Sequence, residues 1–410
     1  MAEKTPLKAI LTGTVPTAIG EFVSGDTIPP ATIGASAITA TKIAANAVTA
    51  AKVKASAITY SKIAASLALT GYPLIYDPSA TSKLRYVPPH ARHGGNYLIN
   101  GDFGIWQRGS GFATPTDQAY FMDQWWYRQV GTACGVSIGR VAAPLDLVPQ
   151  VPYDLRVAIT IAPAGGICYV YIIQRIEDVR TLAGEKVTLA VDLQCDEADQ
   201  DFDFYGWQNF GSGGSDEVHW LDSVDAEIST TRTRYSCVAD CPSVSGKTIG
   251  AGSYSAMGVR LVVQNGDTPD FTVGRFMVNP GSTAQRFIPR PYEVELALCQ
   301  RYYQKSFAVE TTPANGGSPP VYTAAAYGTG SARVWVPFPV RMRAAPTPTL
   351  YGPSTAAWQN YVAGAWTDAT TSFLTTAFEH GMNIETARAG AFTQDHSYLT
   401  RGWYVASAEL

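Results

Sequence analysis

Between Asp201 and Trp220 the chain reads DFDFYGWQNFGSGGSDEVHW. Tyr205, Trp207, Phe210 and Trp220 supply flat rings, and Gln208, Asn209 and His219 supply hydrogen-bonding groups beside them. Such rings pack against the C–H faces of sugars, while amides and acids meet the hydroxyls. The glycine-rich GSGGS breaks the run, so part of it reads as an adaptable loop. Tyr205, Trp207, Gln208, Asn209 and Trp220 therefore form the first candidate carbohydrate-binding set. The competing reading is structural, because Tyr205 and Trp207 alternate as inward residues of a strand do. A second set, Trp358, Tyr361 and Trp366, lies in WQNYVAGAWTD and admits the same two readings. Trp106, Trp125 and Trp126 sit among the opening strands and are expected in the core.

Other chemistries find less support. Asp196, Asp199, Asp201 and Asp203 are spaced as calcium ligands can be, but Phe204 stands where an EF-hand loop needs glycine. A solvated acidic edge is expected there, and no metal site. There is no G-x-S-x-G, H-E-x-x-H or P-loop pattern. The histidines are scattered, and His396 beside Asp395 would point away from it on a strand. No catalytic residue and no cofactor is expected. Of the six cysteines only Cys237 and Cys241 are close, in CVADC, which is not a zinc spacing. Free buried thiols are the first expectation, and a disulfide within CVADC the second. The formal net charge is −4 with no run of Lys or Arg, which argues against nucleic acid as a partner. No apolar run is long enough to cross a bilayer, and the start does not read as a signal peptide, so synthesis in a cytoplasm is expected.

The elements that must position these residues are mostly strands. A chain of 410 residues holds two or three domains. Charged residues make up only 16%, while Gly, Pro, Tyr and Trp are plentiful, a balance that favours short strands and turns. One segment is different. From Thr27 to Ser66, Ile28, Ile33, Ile38, Ile43, Val48, Val53, Ile58 and Ile63 fall five residues apart. Five residues advance a helix by roughly 140° net, so no apolar stripe forms. In a strand, five is odd and successive residues face opposite sides. A single chain cannot bury them, so several identical chains wound about one axis are expected, with Lys42, Lys52 and Lys62 in water. A flexible linker is the alternative, but linkers lack β-branched residues in strict register.

Beyond a Pro- and Gly-rich connection, GICYVYIIQRI, KVTLAVDLQC, MGVRLVVQN and FTVGRFMVN read as strands, and PYEVELALCQRYYQ as a helix with Val294, Ala297, Leu298 and Tyr302 on one face. ARVWVPFPVRM and GWYVASAEL are again β-like. The expected fold is mainly β: a repeat stalk, then a β-sandwich of jelly-roll type, then a small C-terminal β domain.

Three blocks, NYLINGDFGIWQRG, FIPRPYEVELALCQRYYQKS and VPFPVRMRAAPTPTLYGP, resemble the distal regions of tailed-bacteriophage fibres and spikes. In that group the first block opens a jelly-roll module similar to carbohydrate-binding domains, the second closes it and the third belongs to a small β domain. AITATKIAANAVTAAKVK resembles trimeric fibre stalks, and AIGEFVSGDTIPP resembles an N-terminal attachment region. One departure is FMDQWWYRQ, with Gln124 where the group commonly has Arg. The resemblance implies a virion protein divided into an attachment segment (1–26), a homotrimeric stalk (27–70), a linker (71–95), a carbohydrate-binding-like jelly roll (96–305) and a C-terminal β domain (306–410). It implies three partners: further copies of the chain, other phage structural proteins at the N-terminus, and a bacterial surface polysaccharide. No nucleic-acid partner and no membrane insertion is expected. A collar, neck or head decoration fibre and a glycan-degrading spike are the other readings.

Overall fold

A computed structural model describes residues 7–12, 15–21, 74–76, 84–86, 95–222, 226–355 and 357–410. The chain divides into two compact units, residues 1–71 and 72–410. In the first, β1 (Leu7–Thr12) and β2 (Val15–Glu21) form an antiparallel hairpin. The pentad residues Ile28 to Ile63, expected to form a stalk core, lie outside the described residues. The second unit opens with a small hairpin, β3 (Leu74–Tyr76) and β4 (Leu84–Tyr86).

A β-sandwich follows. Its strands are β5 (Gly111–Phe112), β6 (Ala119–Met122), β7 (Trp125–Gly131), β8 (Gly135–Ala142), β9 (Tyr153–Ile161), β10 (Cys168–Glu177), β11 (Lys186–Cys195), β12 (Gln200–Asn209), β13 (Val218–Asp222), β14 (Ala226–Ile228), β15 (Thr233–Asp240), β16 (Tyr254–Val263) and β17 (Asp270–Pro280). One sheet runs β13-β12-β16-β10-β7-β6, with β14 paired to β12, and the other β15-β11-β17-β9-β8-β5. Helix α1 (Tyr292–Gln300) leads to β18 (Tyr303–Lys305). The C-terminal strands are β19 (Val321–Ala326), β20 (Ser331–Pro337), β21 (Thr347–Tyr351), β22 (Gln359–Val362), β23 (Ala365–Asp368), β24 (Thr371–Phe378), β25 (Gly381–Ala387), β26 (Ser397–Arg401) and β27 (Trp403–Ser407). They form a sheet β23-β22-β26-β19-β20-β25-β24 and a small one, β18-β27-β21.

The sandwich core is built by alternation. On β10, Val170, Ile172 and Ile176 face inward with Phe202 and Phe204 of β12, and meet Leu189, Val191 and Leu193 of β11 in one cluster. The opening block knots this core in place. Asn100 accepts from the Ile105 amide at 2.9 Å, and the Trp125 indole donates to the Asn100 carbonyl at 2.9 Å. Trp106 and Trp125 are in this core, as expected. The helix departs from its expected face: Glu295 and Cys299 are its buried residues, because Glu295 receives Arg290 at 3.0 Å and the Asn100 amide.

Two further expectations are corrected. Cys237 and Cys241 are free, and the bridged pair is Cys134 with Cys168. Residues four apart along a strand such as β15 are separated by about 13 Å, beyond disulfide reach. The acidic run is not wholly a solvated edge, because Asp203 is buried against Arg260 at 2.8 Å. On the other sheet Asp192, also buried, accepts from Arg232 at 2.9 Å, Arg234 at 2.8 Å and Arg275 at 2.6 Å. The Arg232–Asp154 pair lies over Gly274, where an added Cβ would sit 2.2 Å from both partners.

Candidate functional site: an aromatic cleft on the outer sheet face

The inward residues of β7, β10, β12 and β16 leave the alternate set on the outer face of the same sheet. Register places Trp126 opposite Ile173, then Ile173 and Tyr205 on either side of Gly258. The next row is Arg175, Ala256, Trp207 and His219, and the row on the other side is Arg128, Tyr171, Arg260 and Asp203. The middle strand thus carries its smallest side chains, Gly258 and Ala256, between two aromatic flanks. A Cβ at Gly258 would lie 2.0 Å from the Ile172 carbonyl oxygen, so only glycine lets β10 approach there. Above it the Tyr171 and Tyr205 rings meet edge to face at 5.1 Å.

These residues enclose a cleft of about 150 Å³, lined by Trp126, Tyr171, Tyr205, Trp207 and Tyr254, with Gln118, Arg128, Arg175, Glu217 and His219 at its polar parts. Trp207 is its floor rather than an open platform, only 6% exposed. The His219 ring stacks on it at 6.0 Å and 20°, while Tyr205 and Tyr254 present edges to it at 5.6 and 6.5 Å. His219 is itself held at both nitrogens, by Tyr205 at 2.9 Å and Glu217 at 3.0 Å. The arrangement is satisfied when Nε2–H donates to the carboxylate and Nδ1 accepts from the phenol. Arg175 lies over Trp126 at 4.5 Å and Tyr254 at 4.8 Å, and donates to the Leu410 carbonyl. Planar rings beside hydrogen-bonding groups can take a sugar ring edgewise or flat.

The structure brings together only part of the first candidate set. Tyr205 and Trp207 line the cleft, and Asn209 lies at its margin, donating to Glu217 at 3.4 Å. Gln208 points to the opposite face, fully buried, and donates to the Pro242 carbonyl at 2.8 Å. Trp220 packs against the sandwich core and stands 3.3 Å from a Cβ built on Gly206, an inward position. In the second set Trp358 is buried and stacks on Tyr322 at 5.2 Å. Tyr361 and Trp366 are cross-strand partners on the β22–β23 hairpin, with Arg401 over Trp366 at 4.3 Å. Trp126, expected with the core, is buried on the outer face and forms one wall of the cleft. Tyr171 and Tyr254 were not singled out from sequence. The signal of Tyr171 is the odd-numbered alternation of YVYIIQR and that of Tyr254 the even-numbered alternation of YSAMGVR, visible only once the inward register is known. Gln124, at the departure from the family pattern, has φ +69° and donates to Glu409 at 3.4 Å. Among the described residues no group of His, Cys, Asp and Glu is arranged to hold a metal ion, and no helix is long and apolar enough to cross a membrane.

No protein-family model and no curated protein matches the sequence. Solved structures match part of the chain. The enzymatically active domain of bacteriophage CBA120 tailspike protein 4 is 14% identical with a TM-score of 0.28, covering 46% of this chain and 22% of its own. The CBM22-1 xylan-binding domain from Paenibacillus barcinonensis Xyn10C is 12% identical with a TM-score of 0.27, covering 47% and 99%. The family 11 carbohydrate-binding module of Lic26A-Cel5E from Clostridium thermocellum is 10% identical with a TM-score of 0.27, covering 42% and 95%. The chain thus spans about a fifth of the tailspike domain's length and nearly all of the two modules. At these scores the likeness carries no argument about ligand, and the functional reading rests on the cleft itself.

Proposed function

We propose that this chain is a non-enzymatic phage fibre or spike protein, trimeric through its pentad segment, whose sandwich adheres to a bacterial surface glycan. The observation that carries the glycan reading is the cleft of Trp126, Tyr171, Tyr205, Trp207 and Tyr254 with polar groups at its edge. These five rings gather on the outside of the sheet, in a cluster separate from the main core on its other face. Among the described residues lining the cleft, Glu217 is the one carboxylate, and glycoside hydrolysis by the common route uses a pair. Adhesion without cleavage is the reading proposed here for the cleft. The virion setting, the N-terminal attachment and the trimer rest on the sequence blocks and the pentad register.

A glycan array on the purified full chain tests this. Enrichment of one sugar class, reduced in Trp126→Ala and Tyr205→Ala variants, supports adhesion. Silence across the array, with the chain folded, favours a collar, neck or head decoration fibre. Release of reducing ends from a bound polysaccharide would instead establish a degrading spike.

A further inference from the structure

One guanidinium group at the cleft, that of Arg128, lacks an acidic partner among the described residues. Most arginines of the sandwich are neutralised by a carboxylate: Arg260 by Asp203, Arg232 by Asp154 and Asp192, Arg290 by Glu295. Arg128 is exposed on β7 and makes no ion pair or side-chain hydrogen bond among the described residues, although it stands directly opposite Tyr171 in the sheet. Arg175 is held between the Trp126 and Tyr254 rings and is engaged by an oxygen of Leu410. The one acid at the cleft, Glu217, is engaged by His219 and Asn209 at the far end. The unpaired cation of the lining is therefore Arg128, on the Trp126 side, away from Glu217.

We infer that the cleft selects an anionic sugar, with Arg128 receiving its carboxylate or phosphate. This deepens the glycan-binding reading and rests on it. A guanidinium presents a planar fork of donors that matches a carboxylate or phosphate and is weakly hydrated, so it exchanges water for such a group readily. The neighbouring rings take the C–H face of the same residue, which fixes the sugar's orientation relative to its charge. A neutral glycan would leave Arg128 solvated and gain nothing from it.

The test uses the full chain and measures binding by calorimetry. The carboxylate probes are polygalacturonate, alginate and polysialate, each beside its carboxyl-reduced form. The phosphate probe is poly(glycerol phosphate), and the neutral probes are dextran and xylan. The expected result is preference for an anionic polymer, weakened at least tenfold in Arg128→Gln and weakened by added salt. The same variant should weaken binding to the neutral or reduced forms less than binding to the anionic forms. Response to carboxylate or to phosphate polymers alone identifies the source of the charge. Equal binding of an acidic polymer and its reduced form, unaffected by Arg128→Gln, overturns this inference while leaving glycan adhesion in place. Binding to none of the probes counts against both. Because Arg128 is exposed and unpaired, the variant's thermal midpoint should match that of the parent, which separates loss of contact from loss of fold.

Discussion

Trp126 and Tyr205 face each other across the cleft on β7 and β12, separated by Ile173 and Gly258 in the same row. A single aromatic contact is worth about 0.5–1.5 kcal/mol beyond its burial. Trp126→Ala or Tyr205→Ala should therefore weaken a bound glycan by about two- to twelvefold, read as a dissociation constant, with the far-ultraviolet dichroism unchanged. A different residue governs stability. Asp192 is buried among three arginines, and Asp192→Ala would leave them with Asp154 alone. Breaking such a network costs about 3–5 kcal/mol, so the urea midpoint of this variant should fall sharply. Tyr205 and Trp207 could be named from sequence because rings two apart are a visible pattern. Gln208 and Trp220 could not be assigned a side, since adjacent residues in a strand face oppositely and sequence shows only that they are adjacent. Trp126 and Trp125 illustrate the same limit: neighbours in sequence, one in the cleft wall and one in the core.

At the scale of elements, the strands were legible and their faces were not. GICYVYIIQRI is apolar at both parities, so its alternation could not say which set lay inside; Val170, Ile172 and Ile176 do, and Tyr169, Tyr171 and Ile173 line the outer face. The helix was legible from Pro291 and its length, but its buried face was not, because a carboxylate, Glu295, occupies it. Apolar periodicity cannot find a helix face anchored by an ion pair. Gly258 gives the element-level prediction. A Cβ there would meet the Ile172 carbonyl oxygen at 2.0 Å, which is backbone and cannot swing away. Gly258→Val should force β10 and β16 apart and cost more than the roughly 1–3 kcal/mol of ordinary overpacking. Differential scanning calorimetry should show a lowered midpoint, and the Trp126 and Trp207 walls should separate with loss of glycan binding.

Over the whole second unit, the sandwich and the C-terminal strands meet through buried acids, which makes their junction sensitive to pH. Glu409 is ion-paired with Arg108 and faces Asp123 and Arg343, and burial pushes its carboxyl up to about 7. Asp102, buried and facing Glu295 and Arg290, is pushed up to about 6. Both acids bind protons more tightly folded than unfolded, so stability falls as pH rises from the ordinary carboxylate range through these values. Lys305 acts oppositely in a separate window: burial lowers it to about 8, so its contribution grows as pH rises from there toward the ordinary lysine range. The thermal midpoint should drop between about pH 4 and pH 7, and Glu409→Gln should flatten that drop.

The last prediction concerns assembly, which the pentad register raises and which bears on whether a weak cleft can hold a cell. Ile28 to Ile63 recur every five residues, and one chain has no face on which to bury them all. Three chains about one axis would give each pentad an inward β-branched residue. Multi-angle light scattering on the full chain should then report a mass near three times 43.9 kDa. Ile43→Asp would bring three carboxylates together near the axis and should dissociate the assembly, whereas Lys52→Ala should leave it intact. Adhesion should follow the mass: three joined clefts raise avidity by orders of magnitude over one, so the Ile43→Asp chain should keep its single-site affinity and lose retention on cells. A parent chain that sediments as a monomer yet still adheres would remove the trimer from this account and place the whole of adhesion on the single cleft.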